Sequence, residues 1–462
     1  MFRSASFLRA GPVASFRLLS ASVLALTLAA CVATPTQPES RQGSAARPAI
    51  GDTSFTIAVI PDTQNYVDYT NQKAAGFAFD ASEMFLQQMQ FVADNLESAG
   101  GDIAFVTAVG DVWQHQTLAM DPAHEALGFK RAPNPILDSM FAPTDKVPGF
   151  EMPMAKRGYE LIAGKTPFSV VPGNHDYDAM WTDSNHPPKA VVMSAADVGM
   201  LHAGGLTNFK TVFSYKSDFF RGKDWYVASN DNGADSAQVF TAGGYRFLHI
   251  GLQFNAPDAS LAWAASVVRQ YPGLPTILST HDFLDNDGRR LANPVIDQAR
   301  IHAEDNSAEE VWQKLISQHD QIFLVLSGHH HGQSRRTDPN KFGHQVHQVL
   351  SDYQDRHQTA KDAGARLQLG KGIGDGWMRL MTFEMGSEIP RISVRTYSTH
   401  YKKESAATQE YASWYKAVEK PKLSDADFLA QDNFTLELPD FKKRFGPACL
   451  KQESLKQAQG SC

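Results

Sequence analysis

Five short apolar runs, each followed by residues able to bind a metal ion, constrain this chain more than any other feature of its 462 residues. The runs occupy 55–60, 103–109, 168–171, 276–280 and 322–327. Uninterrupted apolar and β-branched runs of this length are typical of strands that are buried on both faces. Ligand sites in α/β proteins lie beyond the carboxyl ends of such strands. We therefore expect the polar residues that follow the five runs to meet in one site.

The polar residues that follow the runs include a full set of potential metal ligands. In chain order they are Asp62, Gln64, Asp111, Asn174, His281, His329 and His331. This mixture of carboxylate, amide oxygen and imidazole suits two divalent or trivalent first-row ions such as Mn, Fe, Zn or Co. Two ions about 3.5–4 Å apart can share one oxygen, and Asp111 is the natural bridging carboxylate. A single zinc ion needs only three protein ligands, so the excess of ligands disfavours such a site.

Helical patterns alternate with the apolar runs, which is the arrangement expected of an α/β fold. Apolar spacing predicts helices over 80–96, 258–269 and 307–316. Two long segments, 113–166 and 177–244, interrupt the alternation, and we expect them to be insertions that cover the site. Within the second segment, 209–220 and 225–228 have the pattern of strands, and a late hairpin is expected over 377–397.

The first thirty residues have the organisation of an export signal. Three arginines precede an apolar stretch, 18–28, which is shorter than the roughly 20 residues that cross a bilayer. The tetrapeptide Leu28-Ala29-Ala30-Cys31 then resembles the lipobox of bacterial lipoproteins, whose cysteine is lipidated. This predicts an exported protein held in the bacterial cell envelope by a lipid on Cys31, with the outer membrane or periplasm favoured and 31–52 as a flexible tether. An ordinary cleaved signal followed by a chance cysteine is the alternative.

The net charge indicates which partners are disfavoured, and the remaining cysteines concern the C-terminal end of the chain. A formal charge of −7 disfavours a nucleic-acid-binding surface, because such surfaces carry an excess of Lys and Arg. Cys449 and Cys462 lie near the end of the chain, where they either pair in an oxidising compartment or remain free thiols. Residues 405–462 carry several aromatic side chains, and we expect this extension to pack on the preceding domain.

The motifs around the proposed ligands resemble those of the calcineurin-like metallophosphoesterases. That family has the order Asp-x-His, Gly-Asp, Gly-Asn-His-Asp/Glu, His and Gly-His-x-His. The corresponding motifs here are Asp62-Thr63-Gln64, Gly110-Asp111, Gly173-Asn174-His175-Asp176, His281 and Gly328-His329-His330-His331. The resemblance spans residues 55 to 397. It implies a domain over 53–404 in which two mixed β-sheets pack face to face, with helices outside and the long loop insertions described above.

The resemblance also implies roles for individual residues. One metal ion would bind to Asp62, Gln64, Asp111 and His331, and the second to Asp111, Asn174, His281 and His329. His175 would protonate the leaving oxygen or hold the phosphate. The implied activity is hydrolysis of a small phosphomonoester or phosphodiester by a hydroxide that bridges two metal ions. The alternative is a non-catalytic, metal-binding lipoprotein of the cell envelope that retains the fold, although a pure metal binder has no use for a histidine beside Asn174. The substrate and the oligomeric state remain open.

Two departures from the family pattern leave questions for the structure. Gln64 stands where the family has His, and Pro-Asp-Thr-Gln resembles an exported bacterial branch of the family, so Gln64 is either a ligand or a neighbour of the ligands. Gln114 stands where the protein phosphatases of the family have an Asp that orients the catalytic His, so the partner of His175 is unassigned. His115 is a further candidate to line the site. Tyr353 and Gln354 resemble a segment that this branch carries near its site.

Overall fold

The structure, a computed structural model, describes residues 53–446 apart from 297–298, 300–301 and 367–371. The predicted signal peptide, the tether with Cys31, and the two C-terminal cysteines lie outside the described residues. All described residues belong to one compact unit. Within this part of the chain, the structure has no helix that combines the length and the apolar character needed to cross a membrane.

Sixteen strands are present among the described residues. In chain order they are Ser54–Ile60 (β1), Ile103–Ala108 (β2), Phe168–Val170 (β3), Ala179–Thr182 (β4), Leu201–Gly204 (β5), Tyr226–Asn230 (β6), Asp235–Ala242 (β7), Tyr245–Gly251 (β8), Thr276–Ser279 (β9), Ile322–Ser327 (β10), Gly332–Pro339 (β11), Gln345–Asp352 (β12), Trp377–Glu384 (β13), Arg391–Ser398 (β14), Lys403–Glu404 (β15) and Phe434–Glu437 (β16). All five apolar runs therefore form strands, and the late hairpin is β13–β14.

The strands form two seven-stranded mixed sheets and one small sheet. The first has the order β15-β14-β13-β1-β2-β3, with β16 added beside β14. Its strands β1, β2 and β3 are mutually parallel, whereas β13 runs antiparallel to β1. The second sheet has the order β11-β12-β10-β9-β8-β7-β6. Its strands β8, β9, β10 and β12 are parallel, and both of its edges are antiparallel. The small sheet pairs β4 with β5.

Three apolar clusters hold these layers together. One contains side chains of both large sheets, including Phe55 and Phe383 from the first and Phe247 and Phe323 from the second. A second cluster covers the other face of the first sheet, and a third covers the other face of the second sheet. Helices supply the outer side of both, as Phe85 and Trp312 illustrate. The predicted class, an α/β fold with mixed sheets, is confirmed.

Eleven α-helices occur in the described part of the chain. They are Gln64–Val67 (α1), Ser82–Asp94 (α2), Pro122–Ala126 (α3), Met152–Glu160 (α4), Thr207–Phe213 (α5), Asp258–Gln270 (α6), Ala308–Lys314 (α7), Gln358–Asp362 (α8), Tyr411–Glu419 (α9), Asp425–Leu429 (α10) and Phe441–Phe445 (α11). The three predicted helices correspond to α2, α6 and α7. The first turn of α7 is closed by a capping box, because Glu310 Oε2 accepts from the backbone N–H of Ser307 at 2.9 Å.

The expectation of a strand over 209–220 is wrong. This stretch begins inside helix α5, where Phe209, Val212 and Phe213 are buried together. Their spacing of three and four residues places them on one face of a helix. The strand prediction rested on the large apolar side chains of this stretch and overlooked that spacing. The end of the segment 177–244 is part of the main architecture, because β6 and β7 belong to the second large sheet.

Residues 405–446 take part in the same architecture. Strand β16 pairs with β14, and Phe441 of α11 lies in the apolar cluster shared by the two sheets. Tyr411 and Tyr415 of α9 pack in a separate aromatic cluster with Tyr353 and Trp377. This C-terminal part therefore contacts the segment that follows β12, which lies beside the candidate site.

Candidate metal centre

The candidate site lies where the carboxyl ends of six parallel strands meet. Strands β1, β2 and β3 of the first sheet are followed by Asp62, Asp111 and Asn174. Strands β9 and β10 of the second sheet are followed by His281 and His329. Strand β12 is parallel to β10 and ends at Asp352, which brings the Asp352-Tyr353-Gln354-Asp355 segment to the same edge. This segment therefore lies beside the residues that follow the other five strands.

Glycines in three motifs leave room for the side chains of the site. A Cβ atom on Gly110 would lie 2.5 Å from His281 Nδ1, and one on Gly173 would lie 2.2 Å from Asp111 Oδ1. A Cβ on Gly328 would lie 2.1 Å from Asp62 Oδ1. These distances are too short for any side chain, so each glycine is required by close packing of its backbone against a proposed ligand.

Two of the proposed ligands have strained backbones. Asp111 has φ of 51° and His329 has φ of 71°, the left-handed region that non-glycine residues rarely adopt. Such conformations persist only where surrounding contacts enforce them, and they concentrate at functional sites. Here the Asp111 side chain accepts from the backbone N–H of His175 at 2.9 Å, and the backbone N–H of His329 donates to Asp62 Oδ2 at 3.0 Å.

His281 lies at the middle of the cluster and is fully buried. Its Nδ1–H donates to the carbonyl of Val109 at 2.8 Å, which leaves Nε2 directed at the other ligands, the orientation typical of a metal-binding imidazole. Nε2 lies 3.1 Å from Asn174 Oδ1 and 3.2 Å from His329 Nδ1. It also lies 3.2 Å from Asp111 Oδ1. The donor atoms of Asp111, His281 and His329 are all within 4.8 Å of one another.

Gln64 reaches the same cluster from the first turn after β1. Its Nε2 donates to Asp111 Oδ2 at 3.0 Å, and its Oε1 is buried without a hydrogen-bond partner among the described residues. Asp62 also has a buried and unpartnered oxygen, Oδ1. A buried acceptor without a donor is costly, and a cation would satisfy both oxygens. Gln64 therefore lies within the cluster next to Asp111, and its Oε1 is available to a cation.

The charges of the cluster also favour a cation. Burial raises the pKa of Asp62 well above its usual value, and the nearby carboxylate of Asp352 raises it further. Burial lowers the pKa of His281, but Asp111 and Asp62 outweigh it and raise the pKa to about 10. Burial also raises the pKa of Asp352 to about 6. Several buried acids repel one another unless positive charge accompanies them.

His331 is placed differently from the other six proposed ligands. Its side chain is 47% exposed, and Nδ1 forms an ion pair with Asp355. The amide of Gln354 lies 2.5 Å from its Nε2. Burial lowers the pKa of His331, but the contact with Asp355 and the nearby carboxylates of Asp352 and Asp62 outweigh it and raise the pKa to about 10. The structure therefore places His331 at the rim of the cluster, with both ring nitrogens in contact with the segment after β12.

His175 lies beside the cluster but has its own partner. Its Nδ1–H donates to the backbone carbonyl of Gln114 at 2.7 Å, and the ring of Phe141 packs against it with a centroid distance of 5.6 Å. This histidine is thus oriented by the backbone carbonyl of Gln114 and not by the Gln114 side chain. Sequence reasoning could not find this contact, because every residue carries a carbonyl.

Three other polar residues at the site were missed by sequence reasoning. Asp282 accepts from His330 Nε2 at 3.0 Å and from the amide of Asn293 at 2.9 Å. The same amide lies 2.6 Å from His329 Nε2. His330 therefore points to Asp282. The position of Asp282 directly after His281 was the one signal available. Glu151 is the third residue, and the ring of His115 contacts Glu151 rather than the cluster.

Comparison with known proteins assigns no activity to this chain. No family model matches it. A stretch of 236 residues, 50% of the chain, is 25% identical to the uncharacterized protein YvnB of Bacillus subtilis strain 168. The match covers 16% of that relative, so the chain corresponds to a small part of its length. The activity proposed below therefore rests on the residues of the site.

Proposed function

We propose that this chain is a metal-dependent hydrolase of phosphate esters with the calcineurin-like fold. The observation that carries the proposal is the meeting of six predicted ligands at the carboxyl ends of parallel strands from two sheets. The unpartnered buried oxygens of Asp62 and Gln64 fit a cation, as does the mixed set of oxygen and nitrogen donors. Asp62, Gln64 and Asp111 would hold one ion, and Asp111 would also face the second. His331 would join the first ion by giving up one of its contacts with Gln354 and Asp355.

Asn174, His281 and His329 would complete the second ion site. Bound first-row metal ions would neutralise charge on the phosphoryl group and lower the pKa of a water molecule. His175 would act on the substrate instead of a metal ion. Its Nδ1–H donates to the carbonyl of Gln114, and its Nε2 is the nitrogen available to substrate. In the protonated ring this nitrogen would donate a proton to the departing oxygen, a contribution of about 10²–10⁴-fold to the rate.

The cellular setting proposed is the bacterial cell envelope, with the protein anchored by a lipid on Cys31. The segment that contains Phe141 contacts His175 and would shape the space for the leaving group. Phosphomonoesters and phosphodiesters both remain possible substrates. The competing proposal, a metal-binding lipoprotein without catalysis, gives no role to His175 or to the contact that orients it.

The test is hydrolysis of a panel of phosphomonoesters and phosphodiesters by the purified protein, with Mn, Fe, Zn and Co each added back after chelation. Asp111→Asn is the matched variant, because it keeps the size of the side chain but removes the charge proposed to bridge two ions. We expect it to lose nearly all turnover and to bind less metal. Wild-type protein that binds two ions and hydrolyses no ester would support the non-catalytic alternative. An Asp111→Asn protein with two ions and full turnover would refute the dinuclear assignment.

A further inference from the structure

We propose that Glu151 is a positioning residue that fixes His175 for proton transfer, acting through the backbone of Gln114 and His115. This inference rests on the proposed function. Glu151 is fully buried and lies in the segment 113–166, at the end of the helical turn Val147–Glu151 that leads into α4. Its distance along the chain from every motif explains why no sequence pattern points to it.

The carboxylate of Glu151 accepts four hydrogen bonds. Oε2 accepts from the backbone N–H groups of Gln114 at 3.2 Å and His115 at 3.1 Å. Oε1 accepts from the backbone N–H of Tyr69 at 3.2 Å and from the ring Nδ1–H of His115 at 2.7 Å. A carboxylate has about four lone-pair directions, so all of its acceptor capacity is used. It joins the chain just after α1 to the loop that follows β2.

The planarity of one peptide bond connects Glu151 to His175. The carbonyl of Gln114 and the N–H of His115 belong to the same peptide unit, in which the C=O and N–H bonds point in opposite directions. Glu151 holds the N–H side of this unit, and the His175 ring donates to its carbonyl side at 2.7 Å. If Glu151 is removed, the peptide plane is free to rotate and the carbonyl no longer points at the imidazole.

Asp176 braces the other end of the same loop. Its Oδ1 accepts from the N–H of Val112 at 2.8 Å, and its Oδ2 accepts from the N–H of Gly173 at 2.8 Å. The loop that follows Asp111 is therefore held at two points by buried carboxylates. Of these two carboxylates, Glu151 is the one that holds the peptide unit contacted by His175, so its loss should disturb proton transfer more than the ligand cluster.

A second metal site at Asp68, His115 and Glu151 is the competing interpretation, because their donor atoms lie within 4.8 Å of one another. The hydrogen bonds disfavour it. Both oxygens of Glu151 already accept from donors, and Asp68 Oδ1 accepts from the N–H and the hydroxyl of Thr70 at 2.7 Å. Within the described part of the chain, Asp62 and Gln64 each have a buried oxygen without a hydrogen-bond partner, whereas these three residues have none.

The test compares Glu151→Ala, His175→Ala and the double variant on two esters. An alkyl ester needs its leaving oxygen protonated, whereas a nitrophenyl ester does not. We expect Glu151→Ala to slow the alkyl ester by about 10- to 100-fold, the scale of a small misplacement of a catalytic group. It should slow the nitrophenyl ester by less than about 3-fold, because that leaving group needs little acid catalysis. In the His175→Ala background, Glu151→Ala should add almost nothing, since the two residues act as one unit.

Two further variants separate positioning from general damage. Glu151→Gln keeps one oxygen that can accept from both backbone N–H groups, and it should restore most of the alkyl-ester rate. Asp375→Asn alters another fully buried carboxylate, which accepts from the N–H groups of Gln358 and Thr359 at 2.6 and 3.0 Å. It should leave the ratio of the two ester rates unchanged. Equal slowing of both esters by Glu151→Ala, or additivity with His175→Ala, would overturn the proposal.

A spectroscopic measurement keeps the inference testable whatever the activity. At a pH where the His175 ring is neutral, nitrogen NMR of that ring should show the tautomer with the proton on Nδ1 in the wild-type protein. It should show a mixture of tautomers in Glu151→Ala or, if that variant does not fold, in the shorter Glu151→Asp. Wild-type protein that hydrolyses no ester would sink the proposed function alone. An unchanged tautomer in the variant would sink the positioning role.

Discussion

Gly328→Ala is a minimal change that should disable the candidate metal centre. The added methyl carbon would lie 2.1 Å from Asp62 Oδ1 and 2.8 Å from Val109 Cγ2. Because contacts of this kind are at least 3.0 Å, the carboxylate and the glycine backbone must separate by about 0.9 Å. Asp62 is only 1% exposed, so it cannot swing into solvent to make room.

The separation has two consequences. The N–H of His329 donates to Asp62 Oδ2 at 3.0 Å, and a shift of this size exceeds the tolerance of a hydrogen bond. Overpacking of a buried site typically costs about 1–3 kcal/mol of stability. A displacement of about 1 Å at a reacting centre can cost about 100-fold in rate. We therefore expect a protein that folds with a lower melting temperature, binds metal more weakly and turns over about 100-fold more slowly.

The assay combines metal content after dialysis, metal affinity by calorimetry, thermal unfolding and phosphoester turnover. Gly149→Ala is the matched control, because a Cβ at that position meets no atom within 4 Å and the backbone does not need glycine there. The control should match the wild-type protein in all four measurements. A folded Gly328→Ala protein with wild-type metal content and turnover would show that Asp62 does not need its observed position, and the ligand assignment would fail.

Three other predictions follow from the sequence and the site. His175→Ala should keep its metal and lose rate mainly on esters with poor leaving groups, whereas His281→Ala should lose an ion; metal analysis and kinetics on two esters decide this, and metal loss from His175→Ala would make it a ligand. Cys31→Ser should release the protein from membranes in cell fractionation, and unaltered protein found without an N-terminal lipid would contradict the anchor. Burial lowers the pKa of His249 to about 3, below its unfolded value of about 6.5. Protonation therefore favours the unfolded chain, and the free energy of unfolding should fall by about 1.4 kcal/mol per unit as the pH decreases from 6.5 towards 3. Urea unfolding at pH 7, 6 and 5 gives the free energy of unfolding at each pH, and this energy should change less with pH in His249→Asn than in the wild-type protein. An equal change with pH in both proteins would refute this assignment.

Much of the framework was predictable from local pattern. A strand buried on both faces must be apolar along its length. The strands before Asp62, Asp111 and His329 could therefore be predicted without knowing which strands lie beside them in the sheet. The close approach of backbone to ligand leaves room only for glycine at 110, 173 and 328, so these positions were predictable parts of the motifs. The helices with one apolar face were also predictable, because their apolar residues recur with the period of an α-helix.

The residue pattern gave the wrong secondary structure where large apolar side chains obscured the helical spacing. Phe209, Val212 and Phe213 satisfied a strand pattern by being large and apolar, yet the chain buries them on one face of α5. The choice depended on which surface was available to cover them: all three belong to the apolar cluster that packs against the outer face of the first sheet. That surface is made by strands distant in the chain, so the amino-acid pattern did not contain the answer.

The electrostatic and positioning contacts of the site required the tertiary structure. Asp352 reaches the cluster because β12 is parallel to β10, and sheet order is a long-range property that no neighbouring residue encodes. Glu151 lies 36 residues beyond His115 in the chain and acts on His175 through a peptide bond of Gln114. Backbone groups carry no sequence signature, since every peptide unit offers the same carbonyl and N–H. Only the folded chain decides which of them a buried carboxylate will hold.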